Sequence, residues 1–131
     1  MSLDNQIELL GFKGRKEISK IMNESNAFVL ASQSETFGVV FIEAMASGLP
    51  IIATECGGPE DFVNKRNGIL VPINNLCMLT KALKDMYNTV DIYNNEAISI
   101  ESRLKFSPDN ISNQLTNIYS SLYDVNNKKT V

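Results

Sequence analysis

Histidine is absent from the 131 residues, and so is tryptophan. Without histidine there is no Ser-His-Asp or Cys-His catalytic pair, no imidazole metal ligand and no histidine pH switch. Cysteine occurs only at Cys56 and Cys77, with no C-x-x-C spacing, which excludes a zinc cluster and a thioredoxin-type motif. Two lone cysteines in an acidic chain read as reduced, cytosolic thiols. Basic residues do not predominate: 12 stand against 15 acidic ones, for a net charge of −3. The balance is even along the chain, with 8 against 10 in residues 1–90 and 4 against 5 in residues 91–131. Nucleic acid and anionic membranes are therefore poor partners. Apolar runs such as Val39-Val40-Phe41-Ile42 fall far short of the ~20 residues that span a bilayer. The start, Met1-Ser2-Leu3-Asp4-Asn5-Gln6, has neither the basic region nor the long apolar core of a signal peptide. Glycine is too sparse for phosphate-cradling loops of the common kinds: there is no Walker A motif and no G-x-G-x-x-G.

What is present suits one soluble domain. The apolar fraction of 44% and charged fraction of 21% are near the globular average. At this length about two-thirds of the unfolded surface can be buried, so a core needs no disulfide or metal. Short apolar runs alternate with amphipathic stretches, the pattern of βα units on a parallel sheet. Strands are expected at 7–12, 27–31, 51–54 and 69–71, with the second and third covered on both faces. Helices are expected over 15–25, with Ile18, Ile21 and Met22 as the core stripe, and over 38–47, closed by Gly48 and Pro50. From about Asn74 the chain turns helical, with Leu76, Leu79, Leu83 and Met86 on one face and a further helix from Ile92 to Lys105. Ser107-Pro108 opens a last helix with an N-cap and proline at the first position, carrying Ile111, Leu115, Ile118, Tyr119 and Leu122 on one stripe. Residues 1–125 are read as one partial domain and 126–131 as a flexible tail.

The chemistry concentrates in Ser32-Gln33-Ser34-Glu35-Thr36-Phe37-Gly38-Val39-Val40-Phe41-Ile42-Glu43-Ala44-Met45. This segment leaves the carboxyl end of a strand, where open α/β sheets bind ligands. Its helix is apolar nearly all round, which predicts deep burial of the helix and of Glu43 within it. A buried, unpartnered glutamate costs several kcal/mol in practice, so Glu43 requires a partner. Side chains tilt toward a helix N-terminus, so Glu43 leans back toward Phe37 and Gly38. The unpaired N–H groups there suit phosphate, and Gly38, lacking a Cβ, lets a ligand approach. Glu35 stands just ahead. Carboxylates beside a diphosphate accept hydrogen bonds from hydroxyls, as on a ribose or sugar. Two plainer readings stand beside this one: Glu35 as an acid favouring a helix start, and Glu43 bonded to a loop or a basic side chain.

These residues also carry a resemblance. Glu35 and Glu43, seven residues between them, with Phe37-Gly38 and Glu43-Ala44-Met45-Ala46-Ser47-Gly48-Leu49-Pro50, resemble the signature of the retaining GT-B glycosyltransferases of family four. Gly57-Gly58-Pro59-Glu60, Asn67-Gly68-Ile69-Leu70-Val71-Pro72, Leu9-Leu10-Gly11-Phe12 and Phe106-Ser107 resemble further blocks of that family, the last without its tryptophan. The resemblance runs from about Ile7 to Tyr123. It implies a Rossmann-like α/β/α three-layer fold with a parallel sheet and helical C-terminus, the C-terminal half of a GT-B fold. It also implies a nucleotide-diphosphate sugar donor as substrate, no cofactor and no metal, in keeping with the lack of a D-x-D motif. By similarity Glu35 contacts the donor sugar as the catalytic residue. Glu43 holds the ribose, and the backbone N–H groups of Phe37, Gly38, Val39 and Val40 meet phosphate or sugar oxygens.

Family members carry an N-terminal acceptor domain and an Arg/Lys pair on the first strand–helix unit of the donor domain. Neither is found in these residues; Lys13 and Arg15 occupy a different position and read as solvated or near the nucleoside. The expectation is thus a partial donor-binding domain, inactive alone, from an enzyme of surface or capsular polysaccharide or glycoconjugate synthesis. It is expected in the cytoplasm, membrane-peripheral in the full-length protein, with a sugar or lipid-linked acceptor and with self-association through exposed apolar surface. The alternatives are a non-catalytic GT-B-derived scaffold or subunit, and a GT-B sugar-nucleotide epimerase or phosphorylase.

Overall fold

A computed structural model describes residues 6–127. Three parallel strands, β1 (Phe28–Leu30), β2 (Ile51–Thr54) and β3 (Gly68–Val71), lie side by side in chain order. Phe28 faces Ile51 across the first pair, and Ile51 faces Gly68 across the second. Five helices surround them: α1 (Arg15–Asn23), α2 (Val39–Ala46), α3 (Leu76–Thr89), α4 (Asn95–Lys105) and α5 (Pro108–Asn127). Short 3₁₀ turns occupy Gly58–Asp61 and Val90–Ile92.

The layering follows from strand periodicity. Successive side chains of β2 point to opposite faces. Ile51 and Ala53 join Phe41, Ala44 and Met45 of α2, Met22 of α1 and Ile98 of α4 in one core. Ile52, on the other face, packs with Val71 and with Ala82 and Met86 of α3. Every β2 residue is buried, as a central parallel strand requires. The result is an α/β/α sandwich, as expected, built on a three-stranded sheet.

Three expectations need correction. Residues 7–12 form no strand: they run irregularly, with Leu9 94% and Phe12 99% exposed. A strand exists only through a partner's hydrogen bonds, and no strand among the described residues pairs with this segment. β1 is an edge strand, and it is not covered on both faces: Phe28 and Leu30 pack on the core, while Val29 on the other face is exposed. On α3 the buried pair is Ala82 and Met86, while Leu76 and Leu83 are exposed. The sheet stops at β3, and a small residue lets the helix sit close. The last helix, α5, runs to Asn127; residues 128–131 of the expected tail lie outside the described residues.

The last helix does begin as anticipated, with Ser107 Oγ accepting from Asn110 N at 3.1 Å and Pro108 in its first turn. Its stripe of Ile111, Leu115, Ile118, Tyr119 and Leu122 is exposed. Among the described residues no helix is long and apolar enough to cross a membrane.

Candidate functional site

The loop from Ser32 to Gly38 leaves the carboxyl end of β1 and is held by the chain that leaves β2. Glu35 donates its backbone N–H to the Cys56 carbonyl at 3.1 Å and accepts from the Gly58 N–H at 2.9 Å, a one-residue parallel bridge beyond the strands. Gly58 is needed for this contact, because a Cβ there would lie 2.5 Å from the Phe37 backbone. The Thr54 hydroxyl donates to the Ser32 carbonyl from the end of β2. Ser32 Oγ donates to the Glu35 carboxylate at 3.1 Å, fixing a half-buried acid at the carboxyl edge of the sheet.

Gly38 then turns the chain into α2 with φ 79° and ψ 52°, the left-handed region that glycine enters freely. A Cβ there would also meet the Phe41 ring at 2.7 Å, so this glycine serves the turn as much as any ligand. No side chain caps the start of α2, and its first turn holds no acid. The first-turn N–H groups and the positive end of the helix dipole therefore lack a side-chain partner. Phe37, 46% exposed, is braced edge-on by Phe62 and Phe106 at ring separations of 6.3 and 5.9 Å, and Phe62 and Phe106 pack edge-on at 5.9 Å. This cluster was not foreseen, because Phe37, Phe62 and Phe106 are far apart in sequence and none belongs to an apolar periodic stretch.

The predicted burial of Glu43 is overturned, for Glu43 is exposed. Helix geometry gives the reason. Phe41, Ala44 and Met45 are the buried stripe. At 100° per residue Glu43 lies 200° from Phe41, on the outward side with Val39, which is 59% exposed. The carboxylate thus needs no buried partner and is presented to solvent about one turn beyond Gly38. Glu43 takes part in none of the ion pairs among the described residues, which are Lys13–Glu17, Lys20–Glu24 and Arg66–Glu101. The structure brings Glu35, Phe37, Gly38, Val39 and Val40 together at the sheet's carboxyl edge, and sets Glu43 on the wall of a groove of about 540 Å³ between α1 and α2. Arg15, read as solvated or near the nucleoside, lines the same groove; Lys13 pairs with Glu17 at 3.8 Å.

A separate hollow of about 410 Å³, bounded by Lys65, Tyr93, Asn94 and Glu101, holds none of the predicted residues. Burial pushes the Tyr93 phenol above its usual range. Among the described residues no group of three or more thiols and carboxylates is placed to hold a metal ion.

The sequence profile described as "Glycosyl transferases group 1" matches residues 1–98, three-quarters of the chain, including the segment from Ser32 to Glu43. The chain belongs to the glycosyl transferases group 1 family. Among its relatives, the 2-deoxystreptamine N-acetyl-D-glucosaminyltransferase of Niallia circulans is 30% identical over 125 residues, covering 92% of this chain and 32% of its own length. WcaL of Salmonella typhimurium, named for colanic acid biosynthesis, is 30% identical over 114 residues, covering 82% of this chain and 28% of its own. Anabaena Alr3699/HepE, solved in complex with UDP, superposes with a TM-score of 0.76 at 26% identity, over 91% of this chain and 33% of that one. The group 1 chain described here thus spans about a third of the length of these relatives. Its three-stranded α/β unit has the architecture of a GT-B glycosyltransferase.

Proposed function

We propose that this chain carries the nucleotide-binding part of a retaining glycosyltransferase and takes a nucleotide-diphosphate sugar as substrate. One observation carries the reading: the start of α2, free of any side-chain cap, opens at the sheet's carboxyl edge with Glu35 just before it and Glu43 one turn along its outward face. The backbone N–H groups of Phe37, Gly38, Val39 and Val40 receive the diphosphate and sugar oxygens, where the helix dipole favours negative charge. Glu43 accepts the ribose hydroxyls, and Glu35, held by Ser32, meets the donor sugar. Charge growing on the departing diphosphate is stabilised by those same fixed dipoles, with no metal required. That a structural neighbour was solved with UDP supports the nucleotide class.

Acceptor contacts come from residues outside this chain, and the acceptor is a sugar or lipid-linked sugar. The relative named for colanic acid biosynthesis favours a role in surface polysaccharide synthesis, carried out in the cytoplasm where nucleotide sugars are made. The exposed stripe of α5 serves self-association: its residues follow a 4–3–4 spacing, 111, 115, 118 and 122, and no charged residue lies between Asp109 and Asp124.

The test is a titration of the labelled chain with UDP and GDP, followed by NMR. Binding perturbs the amides from Glu35 to Glu43. Glu43→Ala weakens the ribonucleotide about tenfold, the loss of a hydrogen-bonded pair with a charged group, and leaves the 2′,3′-dideoxy analogue nearly unchanged. Equal losses for both analogues would remove Glu43 from the ribose. Alone, the 131-residue chain gives no measurable sugar transfer; turnover without a partner chain would contradict an acceptor side lying elsewhere.

A further inference from the structure

Helix α4 runs back along α2, and the fastening between them changes in kind from one end to the other. At the end of α2, Ser99 Oγ donates to the Ala46 carbonyl at 2.7 Å and Arg103 Nε–H donates to the same carbonyl at 3.1 Å. One turn nearer the start, Ser102 Oγ donates to the Ile42 carbonyl at 3.3 Å. Next in this line comes Phe106, which closes α4 and has only a ring to offer. That ring packs edge-on against Phe37 and against Phe62, each at 5.9 Å. On this side, then, α2 is fastened by hydrogen bonds at its end and by aromatic contact at its start.

The contact falls where the backbone is least constrained. Glu35 is bonded on both sides, to Cys56 and to Gly58, whereas Phe37 makes no backbone–backbone hydrogen bond among the described residues. Gly38 follows at φ 79°, with no Cβ to lock the turn. The direction of the Phe37 and Gly38 N–H groups therefore depends on where the Phe37 ring is held, and edge-on ring pairs have a specific geometry. Phe106 is itself fixed from two sides. Asn110 Nδ2 of α5 donates to the Lys105 carbonyl at 2.8 Å, and Lys105 Nζ donates to the Asp61 carbonyl at 3.3 Å, just before Phe62.

We propose that Phe106 is a positioning residue of the donor site, which acts through Phe37 to aim the first N–H groups of the α2 start at the diphosphate. Phe106 touches no substrate, and it lies outside the residues 1–98 that the family profile matches. The inference rests on the donor-site reading above and adds a dependence of its phosphate end on the junction of the last two helices. Leucine at position 106 keeps an apolar side chain but removes the ring edge, so Phe37 loses one of its two braces. A misdirected hydrogen bond to a charged group weakens binding by about tenfold.

The experiment measures UDP affinity by NMR titration of the labelled 131-residue chain, with a urea unfolding curve for each variant. Phe106→Leu is expected to weaken UDP about tenfold, and Phe106→Met, which refills the space with a flexible chain, is read in the same way. Added to Phe37→Leu, the Phe106→Leu change should cost less than about threefold more, because both act through one ring contact. The preference for UDP over its 2′,3′-dideoxy analogue persists, since Glu43 stands further along α2; a general loosening would lower it too. Ile98→Val removes a buried methyl from the same helix about 12 Å from Phe106 and should leave UDP affinity within about twofold. Unchanged affinity in the folded Phe106 variants, additive losses in the double variant, or an equal loss in Ile98→Val would overturn the role of Phe106 and leave the donor site standing. A wild-type chain that binds no UDP would overturn both.

Discussion

Glu43 shows how much a single azimuth decides. Its neighbours in sequence are nearly all apolar, which suggested a buried charge in need of rescue. The spacing of Phe41, Ala44 and Met45 already contained the correction, because i, i+3 and i+4 mark one side of a helix and Glu43 sits opposite. Averaged hydrophobicity hides direction; periodicity keeps it. Gly58 is the converse case, a residue whose role was illegible because its neighbour, Phe37, lies 21 positions earlier. Gly58→Ala would push a methyl to 2.5 Å from the Phe37 backbone. We expect a loss of about 1–3 kcal/mol, typical of overpacking, read as a lower urea midpoint at unchanged m-value. The amides of Glu35 to Gly38 should shift in the same variant. A midpoint equal to wild type would show that the two loops separate without cost.

At the scale of elements, β2 was the plainest in the sequence and is the structural centre. Four consecutive apolar or β-branched residues bounded by Pro50 and Glu55 suit a strand buried on both sides, and such a strand needs no alternation. Ile52 is fully buried between β3 and α3. Ile52→Ala should therefore cost about 2–5 kcal/mol and Ile52→Val about 0.5–1.5, measured by urea denaturation. A smaller loss for the alanine than for the valine variant would contradict the packing. The failed strand at 7–12 teaches the opposite lesson. It is apolar at four of its six positions, yet composition supplies only propensity, and a strand needs a hydrogen-bonding neighbour. On α3, counting leucines mistook bulk for contact. Ala82 faces the sheet together with Met86, and no single-residue hydrophobicity would select it over Leu83.

For the molecule as a whole, the fold class and the carboxyl-edge position of the site were legible, because both follow from the order of strand and helix signals. What packs on the outer surfaces was not, since that depends on partners the chain does not name. The α5 stripe gives the prediction at this scale. Sedimentation equilibrium at tens of micromolar should show reversible self-association, and Leu115→Asp with Ile118→Asp should yield a monomer. A wild-type chain that stays monomeric would remove α5 as a self-association surface.

The edge of β1 has a different consequence. Phe28 N–H donates to the Pro50 carbonyl across to β2, so the peptide groups of Phe28 and Leu30 face inward and those of Val29 face out. An outward peptide group on an exposed strand is read by backbone alone, whatever the side chains of the segment that reaches it. Charges placed on α5 would thus cure an equilibrium dimer yet leave this template open to slow, edge-to-edge growth on concentration. Growth through this edge would then be governed by the backbone of Val29, and a proline there rather than a charge on a helix would be the change that closes it.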